Sequence, residues 1–263
     1  MEQLSDINST QVILLIKETS LASTSISQGL TALRKANFGQ KGLYYQAFFL
    51  LTIGIERILK LTIIVKSLVE NDEFPDNKEL KKYSHNLKDL FVHVSSSLRP
   101  DENFLIQNEL FLPILEFLSN YASNSRYYNL DTLSGKTHFI DPLHQWHNIQ
   151  KIIRNKYCKT TINETDKLII ESLEGNSIFM YRDEGDNPIT DPTMYITEAK
   201  YSDEVQGFSV LLIYKIVDYL ILLLTECASK KRMLPAYNEF FPLFQSEYMT
   251  DLLIRRKKDW NKL

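Results

Sequence analysis

Cysteine is nearly missing from this chain: Cys158 and Cys227 are the only two in 263 residues. Two thiols cannot complete a four-ligand zinc site or build a disulfide framework, so a reduced, cytoplasmic setting is expected. Glycine and proline number only 8 each. So few breakers exclude a many-turned β architecture and favour long helices. A positive excess is also lacking. Lys and Arg total 30 against 33 Asp and Glu, a formal charge of −3. This is not a protein that coats nucleic acid with its whole surface, and any such contact must be a local patch. The opening MEQLSDINST has no basic region before an apolar run, so no signal peptide is expected. There is no phosphate-cradling glycine loop, no Gly-x-Ser-x-Gly elbow and no His-Glu-x-x-His pair, which removes the common signatures of several enzyme classes.

What the chain does have is helical periodicity. Val12, Leu15, Ile16, Leu21, Ile26, Leu30 and Leu33 predict a helix over 10–37. Its Ser/Thr-rich middle, 20–27, is a place for a kink. Residues 43–70 predict a second helix, apolar around most of its circumference and therefore central. Ser84 reads as the N-cap of a helix running to about Ser97. Residues 102–122 predict a fourth, kinked or broken at Pro113. Asp141-Pro142 signals a helix running to Tyr157. A short helix is expected over 165–174 and a terminal one over 247–258.

After Gly175 the pattern changes. Residues 177–182 and 193–197 are short, β-branched and aromatic, and Asp183 to Pro188 between them form turns. The expected fold is an all-α helical bundle with a small β-hairpin insertion near 177–198. It is read as a single helical domain over 1–263, or as a bundle over 10–160 with a C-terminal extension over 161–263. Residues 208–228 are long and apolar enough to cross a bilayer. Lys215 and Asp218 in the middle would each cost about 2.5–3.5 kcal/mol there. They are three apart and can pair on one helical face. The segment is therefore read as the most buried helix of the core, with no membrane as partner.

Polar residues that could carry chemistry fall into a few groups. Glu56 and Lys60 share a helical face with the acid first, as a surface ion pair or as a polar spot at an interface or ligand. His85 and His93 lie on the helix after Ser84 and find no third ligand by local spacing. His138, Asp141, His144 and His147 form the densest ligand-like cluster. Their spacing matches no known metal motif, so no metal and no cofactor is expected, and the plainer reading is a solvated helix start packed on Trp146. Arg126-Tyr127-Tyr128 and the set Lys151, Arg154, Lys156, Tyr157, Lys159 mix cations with aromatics. That mixture suits a phosphate backbone and a stacked base, and equally a solvated basic face.

Gly54-Ile55-Glu56-Arg57-Ile58-Leu59-Lys60 on the long apolar helix, followed by Ser84-His85-Asn86-Leu87-Lys88-Asp89-Leu90, resembles the HEPN group over roughly Val12 to Tyr157. The resemblance implies a bundle of four or five helices that pairs as a homodimer, and a place in bacterial defence, toxin–antitoxin systems or RNA processing. Ribonuclease members of that group carry an arginine with a histidine a few residues later. Here Lys159, Thr160 and Thr161 stand where histidine would follow Arg154, and Asp131 stands where it would follow Arg126. The expected role is therefore a non-catalytic interaction protein that contacts RNA, a nucleotide or a protein partner. Its binding candidates are Glu56, Lys60, Tyr127, Tyr128, Lys151 and Lys156. Two alternatives stay open: a metal-independent endoribonuclease whose site draws on His85, Arg126, Asp131 and Arg154, and a membrane-associated helical protein.

Overall fold

A computed structural model of the chain describes residues 9–136, 140–230 and 249–260. Helix α1 spans Ser9–Lys35 and runs through its Ser/Thr-rich middle without interruption. Thr19, Ser27 and Thr31 each donate a hydroxyl proton to the carbonyl four residues earlier, at 2.7–2.8 Å. Those polar side chains are thus satisfied inside the helix. A short connection leads into α2, Gly42–Asn71, and the two form an αα-hairpin. Two glycines let them approach closely. A Cβ on Gly54 would lie 2.6 Å from the Ile26 side chain, and one on Gly29 would lie 2.8 Å from Leu51.

Helix α3 is Asn77–Lys81 and α4 is Leu87–Leu98. The cap of α4 is Asn86, whose side chain accepts from the Asp89 amide at 3.1 Å. Ser84 lies two residues outside it at φ 47°, which corrects the expectation of Ser84 as the cap. The stretch 102–122 is not one helix. It holds a 3₁₀ turn at Phe104–Ile106, helix α5 at Phe111–Asn120 and a π-helical turn at Tyr121–Ser125. Pro113 sits in the first turn of α5, where no intrahelical N–H is needed. It marks a start rather than a kink.

Helix α6 is Tyr128–Leu133 and α7 is Pro142–Tyr157. Asp141 caps α7 by accepting from the Leu143 amide at 2.7 Å. Helix α8, Glu164–Leu173, opens on a capping box of Asn163 and Asp166. Strands β1, Tyr181–Arg182, and β2, Pro188–Ile189, pair antiparallel with Tyr181 opposite Ile189. The hairpin is therefore shorter than expected. Residues 193–197 belong instead to α9, Pro192–Ser229, because Asp191 caps a helix with proline at its first position. Helix α10 is Asp251–Arg256; residues 247–248 of the expected terminal helix lie outside the described residues.

The fold is an all-α bundle with a two-stranded hairpin. One apolar cluster runs from Leu15 to Trp260. At its centre the Phe48 ring packs edge-on against Phe117, Tyr121 and Trp146, at 4.7, 5.4 and 5.3 Å between centroids. Helix α9 packs on α1, α2, α4, α5, α7, α8 and α10. Its most apolar window is long enough to span a bilayer, and 78% of that window is buried inside the bundle. Lys215 does not pair with Asp218; it reaches Asp251 on α10 at 2.9 Å.

Candidate functional site

Helix α2 buries Ile55, Ile58 and Leu59 and turns Glu56, Arg57 and Lys60 toward a cavity of about 450 Å³. Lys60 Nζ donates to Glu56 Oε1 at 2.6 Å, and His85 Nδ1 lies 2.9 Å from Glu56 Oε2. One carboxylate thus holds an ammonium and an imidazole. Arg57 pairs with Glu18 of α1, a contact that depends on the close α1–α2 approach. Arg126 enters from the end of the π-helical turn, with its guanidinium 5.1 Å from the Phe49 ring centroid. Among the described residues Arg126 has no carboxylate partner, and its Nε is buried without a hydrogen bond.

Both segments that bring His85 and Arg126 here have unusual backbones. Ser84 occupies the left-handed region just before His85, where a non-glycine residue is strained. The π-helical turn leads directly into Arg126, and such turns recur at functional sites. Ser123 on that turn donates to the His85 carbonyl at 3.2 Å, tying the two together. Glu56 is pushed up by burial, but the hydrogen bonds from His85 and Lys60 outweigh it and hold the carboxyl below its usual range. The carboxylate stays ionised, and its two partners stay in place.

Of the sequence candidates, Glu56, Lys60, His85 and Arg126 meet in this cleft. Asp131 does not; it lies on α6, 3.6 Å from Lys136 beyond that helix. Arg154 does not either. It makes a two-oxygen contact with Glu198 at 3.0 Å and stacks over Tyr201. Lys156 pairs with Glu109 at 2.6 Å, and Lys151 lines a separate cavity of about 130 Å³ beside Arg154. Tyr127, next to Arg126, is 62% exposed, and Tyr128 opens α6. His93 faces another way and stacks on Tyr83 at 5.0 Å. His138 lies outside the described residues. Sequence reasoning missed Arg57 as a cleft residue, although it sits beside Glu56. Glu18 could not have been found, because nothing in its own helix marks it.

A second polar cluster lies N-terminal on α2. The Tyr44 hydroxyl donates to Glu184 Oε1 at 2.6 Å and accepts from Gln150 and Gln206. All four side chains are buried. Burial raises Glu184 above the usual carboxyl range, against the hydrogen bond from Tyr44, and raises Tyr44 well above the usual phenol range. His147, once grouped with Asp141 and His144, points here instead, packed against Gly185. No known family, curated protein or solved structure matches the chain.

Proposed function

We propose that this chain is a HEPN-like, non-catalytic interaction protein whose cleft takes the phosphate backbone of single-stranded RNA. The observation that carries this reading is the convergence of Lys60, Arg57, His85 and Arg126 on one cavity. Glu18 and Glu56 already neutralise Arg57 and Lys60, which leaves Arg126 as the surplus cation among the described residues of the cleft. One surplus charge matches one phosphodiester. The two carboxylates repel the denser charge of a nucleoside triphosphate. Tyr127, exposed next to Arg126, offers a ring on which a base can stack. The acidic remainder of the surface keeps the contact local. The HEPN resemblance adds a homodimer, which sedimentation at micromolar concentration tests.

The test is fluorescence anisotropy of a labelled single-stranded RNA of about fifteen nucleotides, titrated at two salt concentrations. Saturable binding that weakens with salt and drops about tenfold in Arg126→Ala supports the proposal. Binding unchanged in that variant, or matched by free ATP, opposes it. A second reading rests on the imidazole of His85, oriented by Glu56 in the same cleft as Arg126. That arrangement is suited to drawing a proton from a ribose 2′-hydroxyl. Cleavage of the same RNA in EDTA, lost in His85→Ala, would replace the binding role with an endoribonuclease.

A further inference from the structure

We propose that Asp141, His144 and Asp186 form a binding site for a divalent transition metal of the zinc, cobalt or manganese kind. Sequence spacing could not assemble it, because Asp186 lies on the hairpin turn, 42 residues beyond His144. The fold brings one ligand atom from each of the three within 4.8 Å of the others. His144 Nε2 is already 3.1 Å from Asp186 Oδ2. Metal bonds of about 2.0–2.2 Å place neighbouring ligand atoms roughly 3–3.5 Å apart, so small side-chain rotations close the set.

Both aspartates are held from behind. Asp141 spends one oxygen on the Leu143 amide at 2.7 Å, which fixes the carboxylate at the start of α7 and leaves the other oxygen for a ligand. Asp186 is set by its turn. Asp183 accepts from the Gly185 and Asn187 amides at 2.9 and 2.8 Å, and Arg182 holds the Asp186 carbonyl at 2.7 Å. Such support is what orients metal ligands. The site also attracts a cation from within the chain: Lys41 Nζ lies 2.9 Å from Asp186 Oδ1. Two carboxylates against the one ammonium leave negative charge for a bound cation to neutralise.

The donor set selects the metal. One imidazole with two carboxylates and water suits first-row divalent ions, whereas calcium and magnesium prefer oxygen alone. His144 and Asp186 are exposed, so entry is open. A bound ion would clip the hairpin to the start of α7, next to the hairpin's buried Glu184–Tyr44 contact. Binding to the folded chain alone raises its stability.

The experiment is calorimetric titration of the whole chain with zinc chloride near neutral pH, with cobalt absorption as a second readout. One saturable site is expected, with a thermal midpoint that rises on zinc addition. His144→Ala should weaken binding at least tenfold. Lys41→Ala should tighten it several-fold, because the ammonium no longer competes for Asp186. Circular dichroism checks that each variant keeps its helices. Affinity unchanged in His144→Ala would place the ion on another histidine and overturn the proposal. So would weaker binding in Lys41→Ala, or no saturable binding in the unaltered chain.

Discussion

Tyr44 and Glu56 stand about three turns apart on one helix, and the polar clusters around them are built on opposite terms. The Tyr44 oxygen is saturated. It gives one hydrogen bond and receives two, and all four side chains of its cluster are out of water. The bonding of that oxygen is consumed internally, while Gln150 Oε1 and Gln206 Oε1 beside it have no partner among the described residues and Gln150 and Glu184 line the cavity of about 130 Å³. The Glu56 cluster faces a cavity, its ion pairs are partly solvated, and Arg126 has an aromatic face and, among the described residues, no acid. A desolvated polar group must be answered by protein, and losing its partner costs more than the bond itself contributed. A group that keeps water keeps capacity for a ligand. The first cluster fixes where the hairpin docks; the second leaves a site open.

The largest effect is expected at Tyr44. Tyr44→Phe deletes one hydroxyl and strands a carboxyl and two amides in the interior. At about 1–3 kcal/mol for each buried group left unsatisfied, the variant should lose on the order of 3 kcal/mol in urea unfolding. Its affinity for RNA, measured while folded, should match that of the unaltered chain. A large drop in affinity would show that the two clusters are coupled. Arg126→Ala should show the reverse pattern. RNA binding falls about tenfold, equivalent to about 1.4 kcal/mol, while the urea midpoint barely moves, because no buried carboxylate among the described residues depends on that arginine.

The same contrast governs what could be read in the sequence. Helix α2 was legible because its apolar residues repeat around nearly the whole cylinder, and α7 because Asp141-Pro142 is a local signal that the chain obeys. Glu56 and Lys60 were legible as a pair for the same local reason. Ser84 failed because Asn86, two residues on, makes the better-placed cap. Residues 193–197 failed because a cap and a proline outrank β-branched composition. Glu184 was invisible as part of a site. It reads as a turn residue, and only its distance from Tyr44, 140 positions away in the chain, gives it a role. Glu18 and Asp186 are misses of the same kind, partners supplied from another element with no local pattern to announce them; Arg57, beside Glu56 on α2, is the exception.

A gentler break of the comparison uses pH. Burial raises Glu184 above the usual carboxyl range, more than the hydrogen bond from Tyr44 lowers it, and Asp183 and Glu198 add to the rise. The folded chain therefore holds a proton there that the unfolded chain has already released. This contribution to stability is fully present below the ordinary carboxyl pKa and is lost as pH climbs through the raised value. Glu184→Gln removes the titration, so its stability should fall less over that window than that of the unaltered chain. Urea midpoints between about pH 4 and 8 measure it. Two parallel curves would mean that Glu184 is ionised throughout and that the cluster is less dry than its burial implies.

The smallest effect is expected at Asp131. Asp131 was a candidate for catalysis, yet it lies on α6, 3.6 Å from a lysine that is 70% exposed. Exposed pairs of this kind are worth about 0–1 kcal/mol. Asp131→Asn should change the unfolding free energy measured in urea by no more than about 0.5 kcal/mol and change RNA affinity less than twofold. Arg126, only five residues earlier, should give tenfold in the same assay. A loss at Asp131 as large as at Arg126 would mean that the binding surface extends along α6, and that the cavity on α2 is one end of a longer groove.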